Sequence, residues 1–481
     1  MKLARVPFGA GGLELRLPDS TDVYAMAAPR VLDDPAGAVR AALAAPIASE
    51  PLAAIARAAV SRVSRGGCAA PGARASSGAR AARACVVVSD NTRPVPYKGD
   101  SGILMPVVET LLGEGFAAGD ILVLVATGTH RAMTEDELRA MLDPRVASLG
   151  IEVSNHDCRD EPNLVRLGAS GRGGEALINR RYMEADLKIL TGLVESHFMA
   201  GASGGRKSIC PGIMGERGTF VFHGAAMMSH PMARDLVLEG NPCHEESLEV
   251  AEMAGADFIV NVTLDHSFRL TGVFAGSLRA AHEAAVARVK EYVGIPVDGE
   301  YDIVATHAGF VGINHYQAAK AGVAAIGALK EGGHLIVVAD NKDAANPVGS
   351  LAYRTTLQLL KLVGPEAFTR AIKSDGWTFI PEQWQTQMWT KLFSRIPFGH
   401  FHYFAPQLDS RHWADLPGVD GRAYLPEERR AAPSLSDAQA FLDGAIAAAM
   451  ASYPEGERAA LRIAYLADGP YGIPYQVSAI V

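Results

Sequence analysis

The sequence predicts an α/β fold of two domains with mostly parallel sheets flanked by helices. Short apolar segments typical of buried strands alternate along the chain with longer segments of helical periodicity. This series is interrupted at Gly294-Ile295-Pro296 and then begins again, which indicates a domain boundary. The 481 residues, 48% of them hydrophobic, are enough for two or three domains with cores of ordinary size.

The first half of the chain supplies the elements of one predicted sheet. Residues 2–17 alternate around a glycine cluster and predict a β-hairpin, whereas the Ala/Arg/Gly/Ser tract 65–83 predicts a solvated loop. Thr134 and Glu137 form a capping box that starts a helix. Further helices are predicted at 52–63, 103–112 and 278–293, and strands at 85–88, 121–126, 151–155, 187–191 and 258–263.

The second half repeats the pattern with fewer elements. Two strands, 302–307 and 333–340, flank a predicted helix over 317–329. A helix over 434–451 then leads to a last strand, 461–466, which we expect to return to the first domain. The predicted domains are 1–285, completed by about 452–481, and 298–433, with 286–297 and 434–451 as connecting segments.

The bulk composition excludes several classes of function. A formal net charge of −8 provides no basic field that would attract nucleic acid or anionic lipid. The five cysteines are odd in number and widely spread, which argues against a disulfide framework or a structural zinc site. Because we find neither a membrane-spanning apolar segment nor a secretory leader, we expect a cytoplasmic protein without nucleic-acid or membrane partners.

Two loops that directly follow predicted strands carry chemically useful groups, and ligands of open α/β sheets bind at that end of the strands. The first contains Asp90 and Arg93, and Pro94 keeps Arg93 extended, which suits capture of a carboxylate or phosphate. An Asp90–Arg93 pair that only ties the turn is an equally good interpretation. The second contains His130, which can act as an acid or base near neutral pH, although a lone histidine is more often structural.

The segment 195–208 is the most informative part of the sequence. It contains His197 and a Gly-rich run before Lys207, and such a backbone beside a lysine predicts an anion-binding loop. It is not a Walker A motif, because Arg206 occupies the position of the required glycine and Pro211 follows too soon for a long helix. This disfavours ATPase chemistry but leaves a nucleotide phosphate as a candidate ligand.

A fourth polar segment begins the helix of the second domain. Gln317 and Lys320 are three positions apart and share one helix face, so a hydrogen-bond donor and a cation can reach the same anion. Taken alone, the two residues are explained more simply as a solvated polar face.

Together, four ordered motifs resemble those of the lactate racemase family of nickel-pincer enzymes: S-D-x-T-R-P, A-T-G-T-H-R, E-x-H-F-x-A-G-x-S-G-G-R-K-S-I-x-P-G and H-Y-Q-x-x-K. The resemblance covers roughly residues 85–340, with weaker similarity around Asp468-Gly469-Pro470. It implies a racemase or epimerase that inverts C2 of a 2-hydroxy acid by proton-coupled hydride transfer. It also implies an active site in the interdomain cleft, with catalytic histidines from the first domain and carboxylate-holding residues from the second.

The resemblance further implies a cofactor and its ligands. The cofactor is a nickel-pincer nucleotide, Ni(II) pyridinium-3,5-bisthiocarboxylic acid mononucleotide, attached covalently to Lys207 with His223 as the nickel ligand. Imidazole and soft sulfur donors suit square-planar nickel. The implied partners are a small 2-hydroxy acid and the maturation enzymes that build the cofactor.

The resemblance assigns a role to each motif residue. His130 and His197 would exchange the hydroxyl proton, one for each enantiomer. The implied substrate-binding residues are Arg93, Tyr316, Gln317, Lys320 and Trp384. The implied residues around the ribose and phosphate of the cofactor are Asp90, Thr92, Gly204 and Gly205.

The sequence departs from the family pattern in the third motif. Ser196 stands where the family usually has proline, and Ala202 stands where tyrosine is common. Because alanine would enlarge the pocket, a 2-hydroxy acid larger than lactate fits the sequence at least as well. The sequence gives neither the natural substrate nor the oligomeric state.

Three alternatives remain open from the sequence. A polyhydroxy (sugar) acid 2-epimerase would use the same cofactor with a different pocket lining. A nucleotide-dependent kinase or ATPase would use the Gly-rich loop 201–208, but the residue immediately before its lysine is Arg206 and not the glycine that a Walker A motif requires. A protein that stores the pincer nucleotide is disfavoured because storage needs no paired histidines.

Overall fold

The computed structural model describes residues 1–6, 8, 12–65 and 80–477. Most of the tract 65–83, predicted to be a solvated loop, lies outside the described residues. The chain divides into two compact units. The central unit comprises residues 28–223 and 232–291, and the terminal unit comprises residues 1–27, 224–231 and 292–481.

The elements of the described residues are numbered in chain order. The strands are β1 Lys2–Val6, β2 Leu13–Leu17, β3 Asp22–Tyr24, β4 Ala84–Ser89, β5 Ile121–Ala126, β6 Glu152–Asn155, β7 Leu164–Ala169, β8 Glu175–Asn179, β9 Leu187–Leu193, β10 Ser196–His197, β11 Gly201–Ala202, β12 Phe258–Leu264, β13 Leu270–Gly276, β14 Gly294–Val297, β15 Tyr301–His307, β16 Leu329–Val338, β17 Phe401–Phe404, β18 Val419–Asp420, β19 Ile463–Leu466 and β20 Ile473–Gln476. The helices are α1 Pro35–Ala44, α2 Leu52–Ser64, α3 Leu104–Gly113, α4 Glu135–Met141, α5 Pro144–Ser148, α6 Arg180–Met183, α7 Glu216–Phe222, α8 Ala225–Met228, α9 Pro242–Ala254, α10 Leu278–Val293, α11 His315–Ala325, α12 Leu351–Ile372, α13 Gln383–Phe393 and α14 Ala438–Ala451.

The central unit is built on a six-stranded sheet in the order β13-β12-β9-β4-β5-β6. Its strands are parallel except β13, which pairs antiparallel with β12. Val86, Val123 and Val260 lie in a buried apolar core that also contains residues of α1, α2 and α3. The apolar runs predicted this sheet because strands buried on both faces are continuously hydrophobic.

The terminal unit has a second six-stranded sheet, ordered β18-β17-β16-β15-β19-β3, in which all pairs are parallel. The antiparallel hairpin β1–β2 and helix α14 share a core with this sheet. Phe441 of α14 and Ile336 of β16 are fully buried there. Two mostly parallel sheets flanked by helices confirm the predicted fold class.

The structure corrects the predicted membership of the last strand. β19 pairs with β15 and with β3, and although β3 falls in the predicted range 1–285, the structure places all three strands in the terminal unit and none in the central sheet. Thr306 reinforces this pairing, because its hydroxyl donates to the Leu466 carbonyl oxygen at 3.1 Å. The hairpin β1–β2 also belongs to the terminal unit. The unit boundaries therefore differ from the predicted ranges 1–285 and 298–433.

Two local predictions also differ from the structure. Helix α11 ends at Ala325 rather than near Leu329, because Gly327 packs so closely that a Cβ would lie 1.9 Å from the Pro474 carbonyl oxygen. The segment 294–297, expected to be a simple break, forms β14 and pairs in parallel with β20. In the described part of the chain, no helix is long and apolar enough to cross a membrane.

Candidate active site

The loop after β4 is held by hydrogen bonds at its base. The Tyr97 hydroxyl accepts from the Ser89 backbone N–H at 2.7 Å and lies 2.9 Å from Thr191 Oγ1. Asp90 is buried at the strand end and accepts from the Thr92 backbone N–H at 3.1 Å and from its hydroxyl at 2.5 Å. Thr92, expected near the cofactor ribose and phosphate, therefore helps to fix the Asp90 carboxylate.

His130 lies in the loop after β5 and pairs with Asp90. Its Nδ1 is 2.7 Å from Asp90 Oδ2, and its side chain is 59% exposed. Burial raises the pKa of Asp90, but hydrogen bonds from His130 and Thr92 outweigh this effect and lower the pKa below its usual value. The carboxylate therefore accepts the Nδ1 proton of His130 and leaves Nε2 of the neutral imidazole as a base.

Arg93 pairs with Glu195 rather than with Asp90. Its Nη1 donates to Glu195 Oε1 at 2.7 Å, and about a third to two fifths of each side chain is exposed. The alternative of an Asp90–Arg93 side-chain pair that ties the turn is therefore wrong, although the Arg93 backbone N–H does donate to the Asp90 carbonyl oxygen. Sequence reasoning gave no role to Glu195, which belongs to the third motif.

His197 and Lys207 meet across the third motif. Strands β10 and β11 form a two-residue antiparallel ladder that places His197 opposite Gly201. The His197 Nε2 atom lies 3.1 Å from Lys207 Nζ, and its Nδ1 accepts long hydrogen bonds from the Met199 and Ala200 backbone N–H groups at 3.4 and 3.3 Å. The structure thus brings a catalytic candidate into contact with the predicted cofactor anchor.

The amino group of Lys207 is strongly desolvated. It lies 5.1 Å from the ring centroid of Phe222. Burial, followed by the positive charges of Arg93 and Arg206, lowers the pKa of Lys207 to about 7. A substantial fraction of Lys207 is therefore a neutral amine near pH 7, and a neutral amine is a nucleophile.

The glycines before Lys207 are explained by packing. Gly205 has φ +51°, and a Cβ there would lie 2.8 Å from Cδ2 of His282. Gly204 has φ +73°, and its Cβ would lie 2.7 Å from Cγ2 of Val194. The assignment of Gly204 and Gly205 to the cofactor ribose and phosphate stays a prediction.

Arg206 supports this loop from inside the unit. Its guanidinium is buried, and Nη2 donates to the carbonyl oxygens of Ala200 at 2.6 Å and Ala202 at 3.0 Å. Burial lowers its pKa to about 9. The sequence signal for this role was the arginine in place of the Walker glycine, but the sequence did not show that its side chain points inward.

His223 has the tautomer of a metal ligand. It follows α7, and its Nδ1 donates to the Thr219 carbonyl oxygen at 2.9 Å. Burial and the nearby Lys207 lower its pKa to about 3, so the imidazole is neutral with its lone pair on Nε2. Among the described residues, no group of three or more His, Cys, Asp or Glu side chains could hold a metal.

The remaining predicted site residues lie in the terminal unit. The Trp384 indole N–H donates to the Tyr316 hydroxyl at 2.8 Å, so the structure brings these two together. Asn314 caps α11 through the backbone N–H of Gln317. Gln317 and Lys320 are half-buried on that helix, and their carboxylate-holding roles stay predictions.

Six of the predicted residues lie together in the central unit. Asp90 contacts His130, and His197 contacts Lys207. The positive charge of Arg93 lowers the pKa of Lys207, and the positive charges of Lys207 and His130 lower the pKa of His223. The site therefore combines three histidines, a desolvated lysine, an arginine and an aspartate beside the carboxyl ends of parallel strands, an arrangement typical of an enzyme that uses acid–base catalysis.

Comparison with known proteins identifies the family of this enzyme. Residues 73–235 match the family model of the lactate racemase N-terminal domain. A lactate racemase from Lactiplantibacillus plantarum is 34% identical over 325 residues, which cover 67% of this chain and 73% of that protein. A lactate racemase from Thermoanaerobacterium thermosaccharolyticum is 31% identical over 317 residues, which cover 66% and 71% of the two chains.

Solved structures agree with this finding. The lactate racemase apoprotein from Thermoanaerobacterium thermosaccharolyticum superposes with a TM-score of 0.78 at 26% identity, over 98% of this chain and 100% of that one. A crystal structure of a protein from Thermotoga maritima shares the fold with a TM-score of 0.54 at 15% identity, over 90% and 99% of the chains. The chain belongs to the lactate racemase family and is an isomerase of the racemase class. The resemblance drawn from the four motifs is thereby confirmed.

Proposed function

We propose that this enzyme inverts C2 of a 2-hydroxy acid with the help of a nickel-pincer nucleotide attached to Lys207. The observation that carries the proposal is the grouping of His130, His197 and Lys207 in one unit, with Lys207 in contact with one histidine and the other fixed by Asp90. Two bases suit a reaction that must run from either enantiomer. A cytoplasmic location and the maturation enzymes as partners are part of the same proposal.

The described residues fit the cofactor at two points. His223 presents a neutral imidazole whose Nδ1 proton is held by a backbone carbonyl, as in many metal-binding histidines. Lys207 presents a desolvated amine that can form an amide-type bond. When bound, the nucleotide supplies a site that accepts hydride from C2 and returns it to either face.

The protein's own residues then handle the substrate and its proton. Arg93 offers a guanidinium that can bind the substrate carboxylate in place of Glu195. His130 takes the hydroxyl proton of one enantiomer at Nε2 while Asp90 holds its Nδ1 proton. His197 performs the same exchange for the other enantiomer. The roles of Gln317, Lys320, Tyr316 and Trp384 in holding the substrate are part of this proposal.

The substrate is proposed only as a class. Ala202 is fully buried in β11, and the aromatic residue common at this position in the family is absent. A larger 2-hydroxy acid, including a polyhydroxy acid whose inversion would be an epimerisation, fits this departure as well as lactate does. A panel of chiral 2-hydroxy acids, each followed by chiral chromatography, would separate these substrates.

The proposal is tested by intact-protein mass spectrometry with nickel analysis after co-expression with the cofactor maturation enzymes. We expect a mass increase of one nucleotide with one nickel per chain, and neither in Lys207→Ala. His197→Ala should keep the adduct and lose racemisation. A chain that carries no adduct under these conditions, or a Lys207→Ala variant with full activity, would contradict the proposal.

A further inference from the structure

Glu195 forms an ion pair with the arginine that is proposed to bind the substrate carboxylate, and the proposed reaction gives it no role. We propose that Glu195 is a specificity-determining residue: its carboxylate occupies Arg93 until the carboxylate of a substrate displaces it, and its charge then disfavours substrates with a second carboxylate. The inference rests on the proposed function, in which Arg93 receives the substrate carboxylate.

The ion pair engages only one nitrogen of the guanidinium. Nη1 of Arg93 donates to Glu195 Oε1 at 2.7 Å, and in the described part of the chain this is the one hydrogen bond that either side chain makes. A guanidinium carries five N–H groups and binds a carboxylate most strongly through two parallel hydrogen bonds. A substrate carboxylate that binds Arg93 through two hydrogen bonds therefore replaces a weaker contact with a stronger one.

Another ion pair of the central unit shows the contrast. Arg57 donates to both carboxylate oxygens of Glu114, from Nε and from Nη2, each at 2.8 Å. The Glu114 side chain is 18% exposed, whereas that of Glu195 is 42% exposed and that of Arg93 is 36% exposed. Water reaches both members of the Arg93 pair, so a displaced Glu195 carboxylate can be hydrated. The Arg93 pair is therefore easier to open than the Arg57 pair.

The backbone keeps Glu195 beside Arg93 after the pair has opened. The Glu195 N–H donates to Ser203 Oγ at 3.0 Å, and the Ser203 N–H donates to the Glu195 carbonyl oxygen at 3.0 Å. Ser203 is itself buried, and its hydroxyl donates to the Leu193 carbonyl oxygen at 2.7 Å. The Arg93 N–H donates to the Asp90 carbonyl oxygen at 3.2 Å. Only side-chain rotation can therefore separate the two charges, and the displaced carboxylate remains next to the bound substrate.

A second carboxylate on the substrate would meet an unfavourable charge at this position. The positive charge of Arg93 is then shared by the first substrate carboxylate and Glu195, and like charges in a partly exposed site repel each other despite screening by water. Arg206 cannot compensate this repulsion, because its Nη2 donates inward to the carbonyl oxygens of Ala200 and Ala202. The arrangement therefore favours an acid with a single carboxylate over a dicarboxylic acid.

The first measurement is binding to the cofactor-free chain, which requires no turnover. The probes are two achiral 2-hydroxy acids, 2-hydroxyisobutyrate with one carboxylate and tartronate with two, and each is titrated by calorimetry. Glu195→Gln keeps an oxygen atom near Nη1 of Arg93 but removes the charge. We expect its Kd to fall about threefold for 2-hydroxyisobutyrate and about thirtyfold for tartronate, because competition weakens for both acids and repulsion is lost for the second.

The second measurement is racemisation by the nickel-loaded enzyme, with lactate as the monocarboxylic and malate as the dicarboxylic acid. We expect Glu195→Gln to lower the KM of malate about tenfold more than that of lactate. Glu195→Asp keeps the charge on a shorter side chain, so it should lower the KM of lactate and retain the wild-type preference against malate. Glu114→Gln is the matched control, because it neutralises the other ion pair and should change neither KM. Thermal unfolding shows whether each variant is folded.

Equal changes in the affinity of the two probes in Glu195→Gln would overturn the inference, as would probe binding that survives in Arg93→Ala. Either result in a chain that racemises a 2-hydroxy acid would leave the proposed function standing alone. A shift toward tartronate in a loaded chain that racemises no 2-hydroxy acid would instead support the role of Glu195 and contradict the proposed function.

Discussion

At the scale of single residues, the site depends on buried partners that fix reactive groups. Asp90 is buried, receives hydrogen bonds from Thr92 and holds the Nδ1 side of His130. The exposed imidazole is thus anchored by a group that is itself fixed. The same logic applies to Arg206, whose buried guanidinium holds the carbonyl oxygens of the loop that carries Lys207.

We predict that Asp90→Asn lowers kcat by about 100-fold or more, because an amide can donate to Nδ1 and stabilise the wrong tautomer of His130. The covalent nucleotide adduct should persist, since it is formed at Lys207, and KM should change little because Asp90 faces His130 rather than the substrate-binding Arg93. The measurement is steady-state racemisation with chiral detection in the loaded enzyme. As a control, Glu109→Gln, which removes the exposed ion pair with Arg145, should keep wild-type kcat. A wild-type kcat in Asp90→Asn would remove His130 from the mechanism.

The sequence placed His130, His197, Lys207 and Arg93 in motifs that directly follow strands, and the structure has them there. The sequence did not identify Glu195 as the partner of Arg93, because the two residues are far apart in the chain and meet only through folding. Spacing along a chain predicts which strand end a residue occupies, but not which side chains face each other there.

At the scale of elements, the turn Gly205–Ser208 is a rigid support for Lys207. The left-handed conformation and the contact of Gly205 with the His282 ring leave no space for a side chain. Sequence reasoning assigned this glycine to phosphate binding, because Gly-rich loops before lysine usually serve that purpose. Close packing against a histidine 77 positions further on could not be inferred from the pattern.

We predict that Gly205→Ala destabilises the protein by about 2 kcal/mol, from backbone strain and a Cβ clash together. The expected result is a lower Tm, measured by thermal unfolding. Gly119→Ala is the matched control, since a Cβ there meets nothing within 4 Å. The explanation of Gly205 by packing fails if both variants unfold at the wild-type temperature.

Most of the predicted strands begin and end within one or two residues of the observed ones, because each is a run of apolar side chains closed by a polar or glycine residue. β16 begins four residues before its predicted start, and the short or half-polar strands β3, β7, β8, β10, β11, β13, β14, β17, β18 and β20 were not predicted. Helix α11 was predicted too long, since the periodic pattern continues past Ala325 while the chain must turn where Gly327 contacts Pro474. Gly327, which directly follows the C-cap residue Ile326, is a local signal for a helix end that the periodicity argument did not use.

At the scale of the whole molecule, both units keep several histidines buried and neutral. Burial lowers the pKa of His244, His315 and His334 to about 3 and that of His402 to about 4. His315 stacks on Trp389 at 4.8 Å and bonds the Tyr353 hydroxyl. Folded and unfolded chains therefore bind different numbers of protons in mild acid.

We predict that the buried histidines do not reduce the free energy of unfolding above about pH 6.5, and that this free energy falls steadily from there toward pH 4. Below the ordinary histidine pKa, the unfolded chain binds protons that the buried histidines of the folded chain do not bind. This difference lowers the free energy of unfolding by about 1 to 2 kcal/mol per buried histidine by pH 5. Calorimetric Tm values from pH 7.5 to 4.5 measure the effect. His315→Gln should flatten the profile, and His266→Gln should not. A Tm that stays constant over this range would contradict the prediction.

Domain membership was the least predictable property at this scale. The segment Ile463–Leu466 has the composition of any buried strand, and nothing in four residues specifies which of two parallel sheets it joins. The general α/β class and the number of sheets follow from the repeated strand–helix pattern, whereas strand order depends on long-range packing.

The pairing of β3 with β19 has a consequence for synthesis of the protein. Almost all of the central unit leaves the ribosome as one stretch, but the sheet of the terminal unit joins a strand made at the start to one made about 440 residues later. At ordinary translation rates, β19 follows the end of the central unit by roughly 10 to 35 s. The central unit, which bears Lys207, therefore has time to fold first. The hairpin β1–β2 is synthesised early but can complete its core only after α14 and the strands of the terminal sheet have been made.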